Sequence, residues 1–305
     1  LLKTCRQPVY TVLKKIIGTT PEIQKCENSM STSNFKDKTV IITGASAGVG
    51  AACAELFANL GARLVLSARG EEALNVFADT LRDKTSVLAI PMDVADEAGC
   101  QALIEQAATE YGAIHVLVNN AGAHHRGAVE TQTPANMAQM VDVNLRAPIY
   151  LTALALPHIR NAGGGAVVMV GSLAGRTPMQ GAATYASTKA GLKAFTHSLA
   201  DELMDSGINI GVVSPGPIDT AFIMDSIDEV EDIVYSQPMS TAGEVAEAVM
   251  AVANGESVEI CLPTMSGRLT NLSYLFPRLR RKLRPSLYKK GAKNKEKYRD
   301  RPIVS

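Results

Sequence analysis

From Lys38 onward, short apolar runs rich in β-branched residues alternate with longer stretches of helical pattern. The runs "TVIIT" (39–43), "RLVLSA" (63–68), "SVLAIPMD" (86–93), "IHVLVNNAG" (114–122), "GAVVMVGS" (165–172), "INIGVVSPG" (208–216) and "SVEICLP" (257–263) read as strands. The stretches at 47–62, 71–83, 96–112, 136–159 and 185–205 read as helices, the fourth of them broken at Pro157. Continuous apolar strands suit a parallel sheet buried on both faces, because a sheet with one wet face would alternate polar and apolar residues. Right-handed crossovers then wind the chain into an α/β, Rossmann-type doubly wound sheet of about seven strands with helices on both faces. No repeat and no linker interrupts residues 38–265, so this region is predicted to be one domain.

The first strand runs into "TGASAGVG" (43–50), which opens the first helix. Gly44 allows the tight turn, and Gly48 and Gly50 let backbone approach a ligand closely. The free N–H groups and positive end of the helix suit a pyrophosphate. A nicotinamide dinucleotide usually also meets an acidic residue at the end of the second strand, which holds its ribose hydroxyls. Here "LVLSARG" puts Ala68 at that place and Arg69 next to it. A guanidinium offers a fork of charged donors to a 2′-phosphate, and no carboxylate repels it. NADP(H) is therefore the expected cofactor, with NAD(H) the alternative.

"YASTK" (185–189) sets a phenol and an amine on one helix face at i and i+4. The same spacing occurs at Tyr10 and Lys14, so the pattern alone carries little. The neighbours of Tyr185 make the difference. Ser172 ends a strand 13 residues upstream, "NNAG" (119–122) ends another, and Asn144 lies on the helix between. Ligands bind at the carboxyl ends of strands in open α/β sheets. Taken singly, each of these polar residues is explained by local hydrogen bonding; together they point to a site. A cation beside a phenol favours the phenolate, so Lys189 is expected to lower the pKa of Tyr185.

These motifs in this order resemble the short-chain dehydrogenase/reductase (SDR) family over residues 37–265, with "DVNLRAP" around Asn144 and "PGPIDT" at 215–220 completing the set. The resemblance implies NAD(P)-dependent interconversion of an alcohol and a carbonyl, and a homodimer or homotetramer. It implies Tyr185 as general acid/base and Lys189 on the nicotinamide ribose. Ser172 would bind the substrate oxygen, and Asn144 would hold a relay water. Gly44, Ser46, Gly48, Val49 and Gly50 would form the phosphate loop, and Asp93 with Val94 would meet the adenine. Asn120, Ala121 and Gly122 would line the adenosine ribose, and Pro215, Gly216, Ile218 and Thr220 the nicotinamide end. Ala47 stands where many NADP-using relatives carry a basic residue, so NADP rests on Arg69 with Ser46 in support.

Residues 173–184 and 217–240 are expected to form the substrate pocket, the second as a lid whose apolar residues suit a hydrophobic substrate or merely seat the lid. His124, His125 and Arg126 follow "NNAG" and are placed to touch substrate. The cysteines (5, 26, 53, 100 and 261) are scattered, so no metal site and a reducing, cytoplasmic setting are expected. The net charge of zero conceals an asymmetry: residues 277–305 carry +10, residues 1–37 carry +3, and the rest −13. Residues 1–37 read as a leader or upstream extension outside the fold, with Met30 a candidate natural start and a basic amphipathic anchor the rival reading. Residues 266–305 read as a basic tail. Its interleaved aromatic, leucine and arginine residues suit an anionic membrane surface, against a disordered or acidic-partner arm, with nucleic acid not expected. The leading function is an NADP(H)-dependent oxidoreductase. The alternatives are a ketoacyl thioester reductase and a cofactor-binding regulator without turnover.

Overall fold

Seven parallel strands form one sheet in the order β3-β2-β1-β4-β5-β6-β7. They are β1 (Thr39–Thr43), β2 (Arg63–Ala68), β3 (Val87–Pro91), β4 (Val116–Asn119), β5 (Gly165–Val170), β6 (Ile208–Pro215) and β7 (Glu259–Leu262). The structure is a computed structural model that describes residues 35–224 and 227–299. The Tyr10–Lys14 pair, Met30 and the reading of residues 1–29 as leader or anchor lie outside the described residues.

Successive strand residues face opposite sides of the sheet. Val40 and Ile42 join a core with Phe57, Leu64, Leu74 and Val249, under helices α1 (Gly48–Asn59), α2 (Glu71–Asp79) and α8 (Ala242–Ala253). Ile41 joins a second core with Leu103, Leu117, Leu151 and Leu192, under α3 (Glu97–Tyr111), α5 (Ala147–Asn161) and α6 (Ala183–Glu202). Each fully buried large aliphatic or aromatic side chain contributes about 1.5–3 kcal/mol, and these two layers account for the double winding. The strand order turns back between β1 and β4, so the carboxyl ends of those strands open a crevice.

Three boundaries differ from the sequence reading. The fold begins before residue 38: Phe35 is buried edge-on against Phe57 with ring centroids 5.0 Å apart, and Asp37 N–H donates to the Gly61 carbonyl at 2.9 Å. Helix α5 continues through Pro157 to Asn161. That proline and Ala153, whose carbonyl loses its donor, are both exposed, so water can satisfy the carbonyl. The interruption lies upstream instead, where a π-helical turn (Asp142–Arg146) separates α4 (Pro134–Val141) from α5.

The basic tail is helical over most of its length, as α9 (Thr264–Leu275) and α10 (Pro277–Arg299). Both pack on the domain, and every described residue belongs to one compact unit. The expected lid contains the short helix α7 (Ala221–Met224) and a 3-10 turn (Asp232–Ser236), on which α10 lies. Helix α8 was not read from the sequence, although its capping box is visible there: Thr241 Oγ1 accepts from Glu244 N–H at 3.1 Å, and Glu244 Oε2 accepts from Thr241 N–H at 2.8 Å.

Candidate active site

The loop after β1 is shaped by backbone. Gly44 has φ +66°, and a Cβ there would meet Asn120 Nδ2 and the Ala121 backbone at 3.0 Å. A Cβ on Gly50 would run into the Gly44 carbonyl oxygen. The loop and the start of α1 therefore close to a distance only glycines allow. Helix α1 has Ala47 at its N-cap and no side-chain cap, so its first N–H groups stay available to an anion. This cradle fits a dinucleotide pyrophosphate. Asn120 braces it: its Nδ2 donates to the carbonyls of Thr43 at 2.9 Å and Gly44 at 3.0 Å. Thr43 Oγ1 accepts from the N–H groups of Asn120 and Ala121, both at 3.1 Å. Thr43 was not singled out in the sequence, yet it splices β1 to β4 at the crevice.

The other cofactor-side residues gather at the same sheet edge. Ala45 N–H donates to the Ser67 carbonyl at 3.0 Å, which lays the loop, with Ser46, across the end of β2 just before Arg69. Arg69 is exposed there. Asp93 Oδ1 accepts from Ala95 N–H at 2.9 Å after β3, and Val94 is buried beside it. Val49 is buried in α1. After β6, Gly216 N–H donates to the Leu262 carbonyl at 2.6 Å, and Ile218 bridges to Ser240. Thr220 Cγ2 lies 3.5 Å from where a Gly48 Cβ would stand, so the "PGPIDT" loop overhangs the phosphate loop.

The candidate acid/base group is assembled from three segments. Ser172 follows β5 and caps a 3-10 turn (Leu173–Arg176), its Oγ accepting from Ala174 N–H at 3.1 Å. Its hydroxyl also faces the phenol of Tyr185 on α6 and favours the phenolate. Gly175 presses this turn onto α6, since a Cβ there would lie 2.5 Å from the Lys189 carbonyl carbon. Lys189 is buried, with Nζ donating to the Val170 carbonyl at 2.9 Å and 5.9 Å from the Tyr185 ring centroid. Burial lowers its pKa to about 8.

One electrostatic expectation is revised. Burial pushes the Tyr185 phenol above its ordinary range, and the groups that pull it back are the neighbouring Ser172 and the charge of Arg126. Lys189 rests its ammonium on the Val170 carbonyl, 5.9 Å from the Tyr185 ring centroid. Asn144 is fully buried, and its amide clasps the loop after β4. Its Oδ1 accepts from Ala123 N–H and its Nδ2 donates to the Ala123 carbonyl, both at 2.8 Å. Nδ2 also donates to Thr188 Oγ1 at 3.3 Å. The π turn delivers Asn144 to this position, a common use of such turns. A Gly122 Cβ would lie 3.4 Å from Asn144 Oδ1 and 3.8 Å from Lys189 Nζ, so Gly122 threads between them.

The segment after "NNAG" joins the site. The His124 ring stacks on Tyr185 with centroids 4.0 Å apart and planes 14° apart. Arginine only donates, so His124 Nδ1 accepts from Arg126 at 3.0 Å and the proton sits on Nε2. Burial, with the nearby Arg126 charge, lowers the His124 pKa to about 3, so the ring is neutral. Arg126 also donates to the Phe222 carbonyl at 3.1 Å, which ties the lid to the site. His125 turns away to Gln139 Oε1 at 2.7 Å. His115 accepts from Thr39 N–H at 3.0 Å in a structural role, and His197 lies 3.3 Å from Glu259.

Arg176 is buried and ion-paired with Glu259 on β7, and it donates to Asn271 Oδ1 on α9 at 2.9 Å. Ser214 donates to the same carboxylate at 2.9 Å. Burial pushes Glu259 up, but the hydrogen bonds and charge of Arg176, with the Ser214 bond, outweigh it and hold the carboxyl below its usual range. This cluster anchors the turn that carries Ser172.

A doubly wound parallel sheet with a glycine cradle at its switch point, and a Ser–Tyr pair with a buried lysine beside it, defines a dinucleotide-dependent oxidoreductase of the Rossmann type. The short chain dehydrogenase family matches residues 38–231, and the chain belongs to the short-chain dehydrogenase/reductase family. It is 31% identical over 236 residues to the 3-oxoacyl-[acyl-carrier-protein] reductase FabG of Escherichia coli, covering 76% of this chain and 96% of that one. It is 31% identical over 245 residues to an 11-beta-hydroxysteroid dehydrogenase-like protein of Arabidopsis thaliana, covering 78% of each chain. The L-sorbose reductase of Gluconobacter frateurii, solved with NADPH and L-sorbose, superposes with a TM-score of 0.67 at 27% identity, over 75% of this chain and 96% of that one. A short chain dehydrogenase of Burkholderia cenocepacia in complex with NADP gives a TM-score of 0.68 at 29% identity, over 74% and 96%.

Proposed function

We propose that the chain interconverts a secondary alcohol and a ketone or aldehyde with NADP(H), Tyr185 serving as the general acid/base. The observation that carries this reading is the convergence of Ser172, Tyr185 and buried Lys189, whose Nζ lies 5.9 Å from the Tyr185 ring centroid. The dinucleotide, when bound, supplies or accepts the hydride. The chain's own residues do the rest. Ser172 orients the substrate oxygen toward Tyr185, and Lys189 meets the nicotinamide ribose. Asn144 keeps Gly122 and Ala123 in register with Lys189. The cofactor set is that of the sequence reading, with Asn120 bracing the loop rather than only lining it.

The phenol is the acid that protonates an alkoxide as it forms, and the same group takes the proton back in alcohol oxidation. Arg126 and Ser172 stabilise the phenolate left behind. A hydrophobic substrate fits the position of Phe222, whose ring centroid lies 6.5 Å from that of His124. Assembly as a homodimer or homotetramer in the cytoplasm belongs to the same reading.

Replacing Tyr185 by Phe should lower turnover by about 10²- to 10⁴-fold, with NADPH binding, followed by fluorescence titration, unchanged. Retained turnover would remove Tyr185 from its role. The similarity to ketoacyl reductases favours a second reading, a ketoacyl thioester substrate. A panel of apolar ketones and β-ketoacyl thioesters, ranked by kcat/KM, separates the two.

A further inference from the structure

Helices α9 and α10 are inside out. Their inner faces are polar and hold the domain. Lys295 Nζ donates to the Val230 carbonyl at 2.7 Å and pairs with Asp232 at 3.1 Å. Asn294 donates to the Tyr235 carbonyl at 3.0 Å, Tyr288 to Glu231 at 3.0 Å, and Thr177 meets Ser273 at 2.7 Å. The apolar residues point the other way. Among the described residues, nine of the fifteen large hydrophobic side chains that are exposed fall within 265–287. Leu275, Phe276 and Leu279 are 70%, 54% and 52% exposed, next to Leu269, Leu272 and Leu283. A globular helix ordinarily buries its apolar stripe, and an exposed patch of this kind marks an interaction surface.

Charge selects the partner. Residues 277–299 carry eleven Lys/Arg and one Glu. Arg278, Arg281, Lys282, Lys289 and Lys290 are exposed along the same helix as Leu279 and Leu283. A second copy placed on this face would set two such cationic helices against each other, because a two-fold interface repeats the same patch. A nucleic acid would take the charge and leave the leucines in water. An anionic bilayer takes both, the leucines in the acyl boundary and the arginines among the headgroups. No helix among the described residues is long and apolar enough to cross a membrane, so the contact is with the surface. We infer that the outer face of α9 and α10, centred on Leu275, Phe276, Leu279 and Leu283, docks on an anionic lipid surface. The helix that grips residues 230–235 of the lid is thus the one that lies on the bilayer.

The test uses the full chain and sedimentation with vesicles of phosphatidylcholine alone or mixed with phosphatidylserine. Binding should need the anionic lipid and weaken with salt. Arg281→Gln and Lys282→Gln should each weaken it roughly fivefold. A Leu275→Gln, Leu279→Gln, Leu283→Gln chain should bind at least about tenfold more weakly. These side chains are exposed, so melting temperature and NADPH binding should not move, which separates lost docking from lost folding and from failure of the proposed reaction. Absence of binding by the unaltered chain would overturn the inference. So would apolar substitutions without effect, or substitutions that split an oligomer while vesicle binding stays the same.

Discussion

Tyr185 illustrates how much of a residue's chemistry comes from what surrounds it. The i, i+4 phenol–amine pair is local, but the phenol's proton affinity is set by burial, Ser172 and Arg126, and its ring is covered by His124. Arg69 is the residue-scale test of cofactor choice. A charge-assisted hydrogen bond contributes about 1.5–3 kcal/mol, so Arg69→Ala should raise the KM for NADPH about 10- to 100-fold while that for NADH stays put. Parallel steady-state kinetics with the two cofactors check it, and equal changes would place the guanidinium away from the 2′-phosphate.

At the scale of elements, the site depends on short irregular turns set against regular helices. The π turn at 142–146 delivers Asn144, and the 3-10 turn at 173–176 carries Ser172. The second turn is anchored by Arg176 and Glu259. Replacing Glu259 by Gln leaves a buried guanidinium without its counter-ion, a change that costs about 3–5 kcal/mol in comparable buried pairs. Because the folded carboxyl is held below its unfolded value, its contribution is complete above the unfolded value near ~4.3 and is lost as pH falls through the folded one. Denaturant unfolding should therefore show a large gap between native and Glu259→Gln chains at pH 7 that narrows in acid. A gap constant with pH would mean that the pair does not hold the turn.

On the scale of the whole molecule, α10 behaves as a strap and not as a tail. Its buried Lys295 satisfies the Val230 carbonyl, and Tyr298 packs against the buried Tyr235 with centroids 5.8 Å apart. Lys295→Ala should lower the melting temperature by about 4 °C or more, measured by calorimetry. An unchanged melting temperature would make the strap incidental to the lid.

Much of this was legible in the chain. The seven strands and the glycine loop were, because burial on both faces leaves unbroken apolar runs and a close approach leaves only glycine. Tyr185, Lys189, Ser172 and Asn144 were legible as a group. What they touch was not, because Lys189 is drawn to Val170 and Asn144 to Ala123 by partners 19 and 21 residues away. Neither Thr43 nor Arg176 has a local pattern that marks it; each matters through a contact made across the sheet or between layers.

By itself the sequence determined the layered sheet, the phosphate cradle and the inventory of polar groups at one sheet edge, since period, glycine and chain order are local properties. Only the tertiary structure decided which way those groups point, that the cationic C-terminal helices turn their apolar residues outward, and that the same helices hold the lid. Those outcomes depend on contacts between segments far apart in the chain, which no local pattern encodes.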